Sequence, residues 1–258
     1  MQWVAVMQLG GYLKGKPVSL MVLDYGLFKV HANGRIIGIC GFLLRTDRNE
    51  TVLIDTGFPK HYADDPAAAS AADGLGSFGE VLHLTQSNLP AGQLALAGQT
   101  LADIDLQVLT HSHVDHVGGI ADLPGAPILL AAAERALPRP LYLGKRQPMD
   151  WPDRSYITIE GDCDIGPGFR ALFSPGHAPG QLAFMVDLPI TGAVLLTSDA
   201  ISRPAEVDEK FDTAPNPEQA CASAARLLAL AAAADAFIVY GHCPEQWPTL
   251  KKAPDVYT

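Results

Sequence analysis

The sequence predicts an α/β protein in which two sheets pack face to face and helices cover them on the outside. Three observations point there: apolar runs rich in β-branched residues recur in two blocks, each block closes on a stretch of helical character, and several runs end abruptly in a histidine or an aspartate. With 258 residues, 48% hydrophobic and 18% charged, the chain can bury a sizeable core. No shift in composition marks a linker, so residues 1–258 are read as one domain.

The first block opens with Val18 to Leu23 and Ile36 to Leu44, two apolar runs separated by a turn at Asn33-Gly34. Thr51 to Ile54 is a third strand, ending in Asp55-Thr56-Gly57, where a buried strand delivers a carboxylate to a site or a cap. From Phe58 to Gly98 no period is sustained; this excursion, with Phe58, Tyr62, Phe78 and Leu82 scattered through it, reads either as a lid or pocket wall or as ordinary packing. Asp105 to Thr110 is a short strand running into a histidine cluster, and Ala126 to Leu130 is another, followed by an Ala-rich helix from Ala131 to Leu137 that Pro138 stops. Arg139 to Arg154 is loop. The second block holds Tyr156 to Ile159, Phe169 to Phe173, Leu182 to Val186 and Val194 to Thr197. A helix from Pro217 to Ala234 follows, with Asn216 as N-cap, and Phe237 to Tyr240 is the last strand.

Charge and cysteine usage narrow the function classes. Twenty-eight acidic against 18 basic residues give a net charge of −10, a field that repels phosphate backbones, so nucleic acid is not an expected partner. Bound divalent cations would reverse the sign locally, which leaves a small neutral or modestly anionic substrate open. Cys40, Cys163, Cys221 and Cys243 form no C-x-x-C pair and read as reduced thiols. Met1 to Met7 lacks the pattern of an export signal and no apolar run approaches the roughly 18 residues of a membrane span, so a cytoplasmic protein without membrane attachment is expected.

The chemistry concentrates in Thr110-His111-Ser112-His113-Val114-Asp115-His116-Val117-Gly118-Gly119, three imidazoles and a carboxylate within six positions. His177, in Ser174-Pro175-Gly176-His177, Asp199, in Thr197-Ser198-Asp199, and His242, in Tyr240-Gly241-His242, each lie just beyond an apolar run. Five imidazoles and two carboxylates suit divalent zinc, and also iron, manganese or cobalt, because nitrogen and oxygen donors discriminate weakly among these ions. His31, His61 and His83 have no matching partners and read as surface or packing groups, and Cys243 is expected to pack behind the site.

From Asp55-Thr56-Gly57 to Gly241-His242 this pattern resembles the metallo-β-lactamase superfamily, and its intervals are similar to the quorum-quenching N-acyl homoserine lactone lactonase branch. The resemblance implies an αβ/βα four-layer sandwich of two mixed sheets with helices outside. It implies that His111, His113 and His177 hold one metal and Asp115, His116 and His242 the other, with Asp199 bridging and Asp55 bracing the motif loop by hydrogen bonds. Two divalent cations lower the pKa of a shared water enough to supply hydroxide near neutral pH and polarise the carbonyl that it attacks. Asp115 then returns a proton to the leaving alkoxide, and the implied reaction is hydrolytic opening of a lactone.

One position departs from the branch: many of its lactonases carry a tyrosine three residues after the bridging aspartate, where this chain has Ser202. Either another tyrosine, such as Tyr25 or Tyr62, orients the substrate carbonyl, or the substrate differs. Glyoxalase II-like thioester hydrolysis shares the seven-ligand logic, other esters and phosphotriesters remain alternatives, and a non-catalytic metal-binding sensor is the reading outside enzymology.

Overall fold

The computed structural model describes residues 11–123 and 125–258, so the N-terminal segment Met1 to Met7 lies outside the described residues. In chain order the elements are β1 (Pro17–Val30), β2 (Ile36–Thr46), β3 (Thr51–Ile54), α1 (His61–Asp64), α2 (Pro66–Asp73), β4 (Gly79–His83), α3 (Pro90–Leu96), β5 (Leu106–Val108), α4 (Val114–Val117), β6 (Ile128–Ala131) and α5 (Ala132–Arg135). Then come β7 (Tyr156–Ile159), β8 (Cys163–Gly166), β9 (Phe169–Phe173), β10 (Leu182–Leu188), β11 (Gly192–Ser198), α6 (Ala205–Asp208), α7 (Pro217–Ala234) and β12 (Phe237–Tyr240).

Two mixed sheets result, one ordered β4-β1-β2-β3-β5-β6-β7 and the other β12-β11-β10-β9-β8. Alternation along the strands gives each sheet an inner and an outer apolar face. Val52 and Ile54 of β3 and Leu106 and Val108 of β5 meet Phe169, Phe184 and Val194 of the smaller sheet in the central layer, all of them buried. Leu53, Leu109 and Leu130 face outward into the layer formed with Tyr62, Leu94 and Val117. On the far side of the smaller sheet, Ala183 and Leu195 pack with Leu227 and Ala231 of α7. Each fully buried Leu or Ile in these layers contributes about 1.5–3 kcal/mol relative to an exposed one.

The expected two-sheet sandwich is therefore present, with three corrections. Tyr156–Ile159, grouped by its place in the sequence with the second block, is the edge strand of the first sheet and pairs in parallel with β6. The excursion after Phe58, though it sustains no period, is not an unstructured insertion: it folds as short helices and the edge strand β4, which pairs antiparallel with β1. Within it α2 starts at Pro66, with Asp65 accepting from Ala68 N–H, and ends at Gly74 with φ of 74°. Phe58 and Tyr62 are buried in the outer layer, whereas Phe78 and Leu82 are exposed, so the first pair packs. Third, β1 runs on past Leu23 to Val30 through an irregularity between Asp24 and Leu27, and β8 is an additional strand. The helix at Pro217–Ala234 has the expected bounds, with Asn216 accepting from Gln219 N–H at 3.1 Å. Among the described residues no helix is long and apolar enough to cross a membrane.

Candidate metal centre

The seven predicted residues converge at one edge of the sandwich, where strand ends of both sheets open into loops. β5 ends at Val108 and leads into the motif, β9 precedes His177, β11 precedes Asp199 and β12 precedes His242. Asp55 and Ser198 sit just after or at strand ends with φ of 59° and 46°, a backbone region costing about 1–3 kcal/mol for a side chain other than glycine, which the surrounding contacts must offset. The motif closes on glycines because its return leg runs against β3's extension. Gly118 N–H donates to the Gly57 carbonyl at 2.8 Å. A Cβ on Gly118 would lie 2.0 Å from the Phe58 carbonyl carbon.

Among the described residues, three groups of donor atoms lie within 4.8 Å of one another: His111, His113 and His177; His111, His116 and Asp199; and Asp115, His116 and His242. His113 Nδ1 is 2.9 Å from both His111 Nε2 and His177 Nε2. Asp199 spans the halves. Its Oδ2 lies 3.2 Å from His177 Nε2 and 3.9 Å from His111 Nε2. Its Oδ1 lies 3.1 Å from His242 Nε2 and 3.6 Å from His116 Nε2. Asp115 Oδ2 completes the second half at 3.5 Å from His242 Nε2 and 3.6 Å from His116 Nε2.

The outer nitrogens of these rings are held by groups that fix which nitrogen carries hydrogen. Thr110 donates its hydroxyl to Asp55 Oδ2 at 2.7 Å, so its oxygen accepts from His111 Nδ1 at 3.1 Å. His116 Nδ1 donates to Asp55 Oδ2 at 2.8 Å, and His242 Nδ1 donates to the Gly38 carbonyl at 3.0 Å. Each arrangement leaves Nε2 of the neutral ring with its lone pair aimed inward. Asp55 also accepts from Thr110 N–H at 2.9 Å, so the expected bracing of the motif loop by this carboxylate is present.

The donor set fits divalent cations. His116 Nε2 is buried without a hydrogen-bond partner, which is costly for a polar atom unless a ligand satisfies it. Three imidazole nitrogens that meet at 2.9 Å contacts exceed what one shared proton satisfies. Without a cation the two halves differ in proton affinity. Burial, with His116 and His113 adding to it, holds His111 well below the ordinary range, and burial with His177 brings His113 down to about 3. Burial lowers His177 despite Asp199. Burial also opposes charge on His116, but Asp115, Asp55 and Asp199 outweigh it and push the ring up to about 10. Burial opposes charge on His242 in the same way, and there Asp199 and Asp115 prevail and push the ring up to about 9. Burial disfavours the Asp199 carboxylate, yet His242, His177 and His116 hold it well below the usual carboxylate range.

Some residues do not join the centre. His31, His61 and His83 are at the surface, and Cys243 Sγ donates to Glu245 at 3.3 Å. Tyr25 donates its hydroxyl to the Asp55 carbonyl at 3.3 Å and Tyr62 to Asp73 at 2.9 Å, both from buried rings. Neither phenol is free to stand in where Ser202 departs from the expected tyrosine. Sequence reasoning missed three residues packed around the motif. Tyr142, at φ of 56°, donates its N–H to the Ser112 carbonyl at 2.8 Å and accepts from Val114 N–H at 3.0 Å, which holds the backbone on both sides of His113. Its hydroxyl donates to Asp73, the last residue of α2. Glu134 reaches Ser112 from α5. Their signals in the sequence are slight: an aspartate before Gly74, a tyrosine in a proline-rich loop, and the lone acid of an Ala-rich helix.

Comparison with known proteins places these features in a group. Residues 41–242 match the family model described as the metallo-beta-lactamase superfamily. The chain is 29% identical over 220 residues to N-acyl homoserine lactonase AiiA of Bacillus thuringiensis subsp. kurstaki, covering 83% of this chain and 84% of the relative. It is 32% identical over 185 residues to N-acyl homoserine lactonase AttM of Azorhizobium caulinodans, covering 64% of this chain and 68% of the relative. A solved structure of a B. thuringiensis AiiA mutant with N-decanoyl-L-homoserine bound at its active site superposes with a TM-score of 0.82 over 95% of this chain and all of that one, at 24% identity, a likeness of fold.

Proposed function

Because the chain belongs to the metallo-beta-lactamase superfamily, we propose that it is a metal-dependent hydrolase that opens a lactone ring at a two-cation centre, with N-acyl homoserine lactones as its substrate class. The observation that carries the reading is Asp199, whose two oxygens face separate groups of imidazoles, Oδ2 towards His177 and Oδ1 towards His242. His111, His113 and His177 would hold one ion, Asp115, His116 and His242 the other, and Asp199 both, with zinc the ion that this nitrogen-rich donor set suits. The relatives named N-acyl homoserine lactonase support the substrate class.

When bound, such cations supply Lewis acidity towards an ester carbonyl and make water acidic enough to act as a nucleophile near neutral pH. The chain's own residues do the rest. Asp55, Thr110 and Gly38 keep the rings of His111, His116 and His242 in one orientation, so the donors need no reorganisation as charge develops. Asp115 is the more open carboxylate, its side chain 19% exposed against 9% for Asp199, and it is placed to take a proton from water and give it to the departing oxygen. The acyl carbon–oxygen bond of the ring breaks, a new one forms to the water oxygen, and the product is a hydroxy acid.

A hydrolysis screen of the metal-analysed protein by pH indicator tests the reading. N-acyl homoserine lactones should turn over faster than other γ- and δ-lactones and faster than glutathione thioesters. Preference for thioesters over every lactone overturns it.

A further inference from the structure

Glu134 is a carboxylate with no exposed surface, placed on α5 behind the motif, and the chemistry proposed above does not use it. Its Oε1 accepts from Ser112 N–H at 2.8 Å and also from the Ser112 hydroxyl. Its Oε2 accepts from Gly180 N–H at 3.0 Å. Ser112 lies between His111 and His113 on the segment that leaves the larger sheet, and Gly180 lies just past His177 on the loop between β9 and β10 of the smaller sheet. One side chain thus grips the two loops whose imidazoles must meet. The grip is close: a Cβ on Gly180 would lie 2.4 Å from Glu134 Cβ and 2.7 Å from Glu134 N, so this loop reaches the helix only because residue 180 has no side chain. Leu182 N–H to the Thr110 carbonyl, at 2.8 Å, is a second tie between the same two segments, but it lies at the strand ends rather than beside His177.

We propose that Glu134 is a positioning residue of the metal centre: by accepting from Ser112 with one oxygen and from Gly180 with the other, it sets the separation of His111 and His113 from His177 and so the affinity for the ion those three would hold. The proposal rests on the two-cation reading above. Its physical basis is the acceptor count. A buried carboxylate offers acceptors on both oxygens, whereas an amide offers one and turns an N–H towards whichever loop it does not serve. Hydrogen-bond partners that orient metal ligands from outside are typically worth about 10- to 100-fold in metal affinity.

The test compares the chelator-stripped wild type and Glu134→Gln in cobalt(II) titrations, where the visible bands of a position with three imidazoles and the shared Asp199 carboxylate differ from those of one with two imidazoles and two carboxylates, and in zinc competition with a chromophoric chelator. Circular dichroism of both metal-free proteins checks the fold. The expected result is loss of at least about tenfold in affinity at the three-imidazole position only, with the Asp115 position unchanged and the fold intact. Wild-type affinity at both positions in a folded Glu134→Gln overturns the proposal, and so does an equal loss at both. Should that variant fail to fold, Ser112→Ala, which keeps the Ser112 N–H bond but removes the hydroxyl, should show a smaller loss at the same position, and an unchanged affinity there overturns the proposal. A wild type that takes up fewer than two ions fails the two-cation reading itself and takes this proposal with it.

Discussion

Asp199 and the five imidazoles around it set up a proton balance that the metal-free protein must carry. His111, His113 and His177 have lowered affinities for protons, so folding with them neutral contributes stability above their ordinary 6.5 that is lost as pH falls from there towards the value of about 3 reached by His113. His116 and His242 are shifted the other way. Their contribution is complete below 6.5 and is lost as pH rises through about 9 and about 10. The melting temperature of the chelator-treated protein should therefore peak between these limits and decline on both sides. A value that keeps rising as the solution is acidified below the ordinary histidine range would contradict this assignment of charge.

At the scale of elements, the loop carrying Tyr142 couples α2 to the motif. Tyr142 and Tyr62 both donate to Asp73, Arg146 donates to the Ala72 carbonyl, and the Tyr142 backbone brackets His113. Tyr142→Phe removes one donor from a buried carboxylate, a loss worth about 1–3 kcal/mol, and the thermal unfolding midpoint should fall accordingly while Tyr62→Phe has a similar effect through the same acceptor. An unchanged midpoint for Tyr142→Phe would show that the Asp73 cluster does not support the loop. How much of this was legible follows from the kind of signal. Thr51–Ile54, Phe169–Phe173, Phe237–Tyr240 and Pro217–Ala234 are uninterrupted apolar or capped segments and have the bounds that the sequence indicates. The α2 helix carried cap signals, Asp65-Pro66 and Gly74, but its alanines gave no amphipathic period. The sheet membership of Tyr156–Ile159 depends on pairing with β6 across an intervening loop, which no local pattern encodes.

For the whole molecule, the candidate ligands were legible because they cluster in one short motif after β5 or follow an apolar strand directly, where a polar side chain that stays buried needs a purpose. Asp73, Glu134 and Tyr142 were not, because a bracing group is identified by what it touches. The ligands come from both sheets, His111 to His116 after β5 and Asp199 and His242 after β11 and β12, so cations bound among them would cross-link the sandwich at its open edge. The central claim is that lactone opening needs both positions filled. Its most direct measurement is a zinc titration of the chelator-stripped protein with the opening of an N-acyl homoserine lactone followed by proton release. The predicted result is no turnover without metal and a rate that saturates at two equivalents of zinc; a rate that survives stripping, or that is complete at one equivalent, would contradict it.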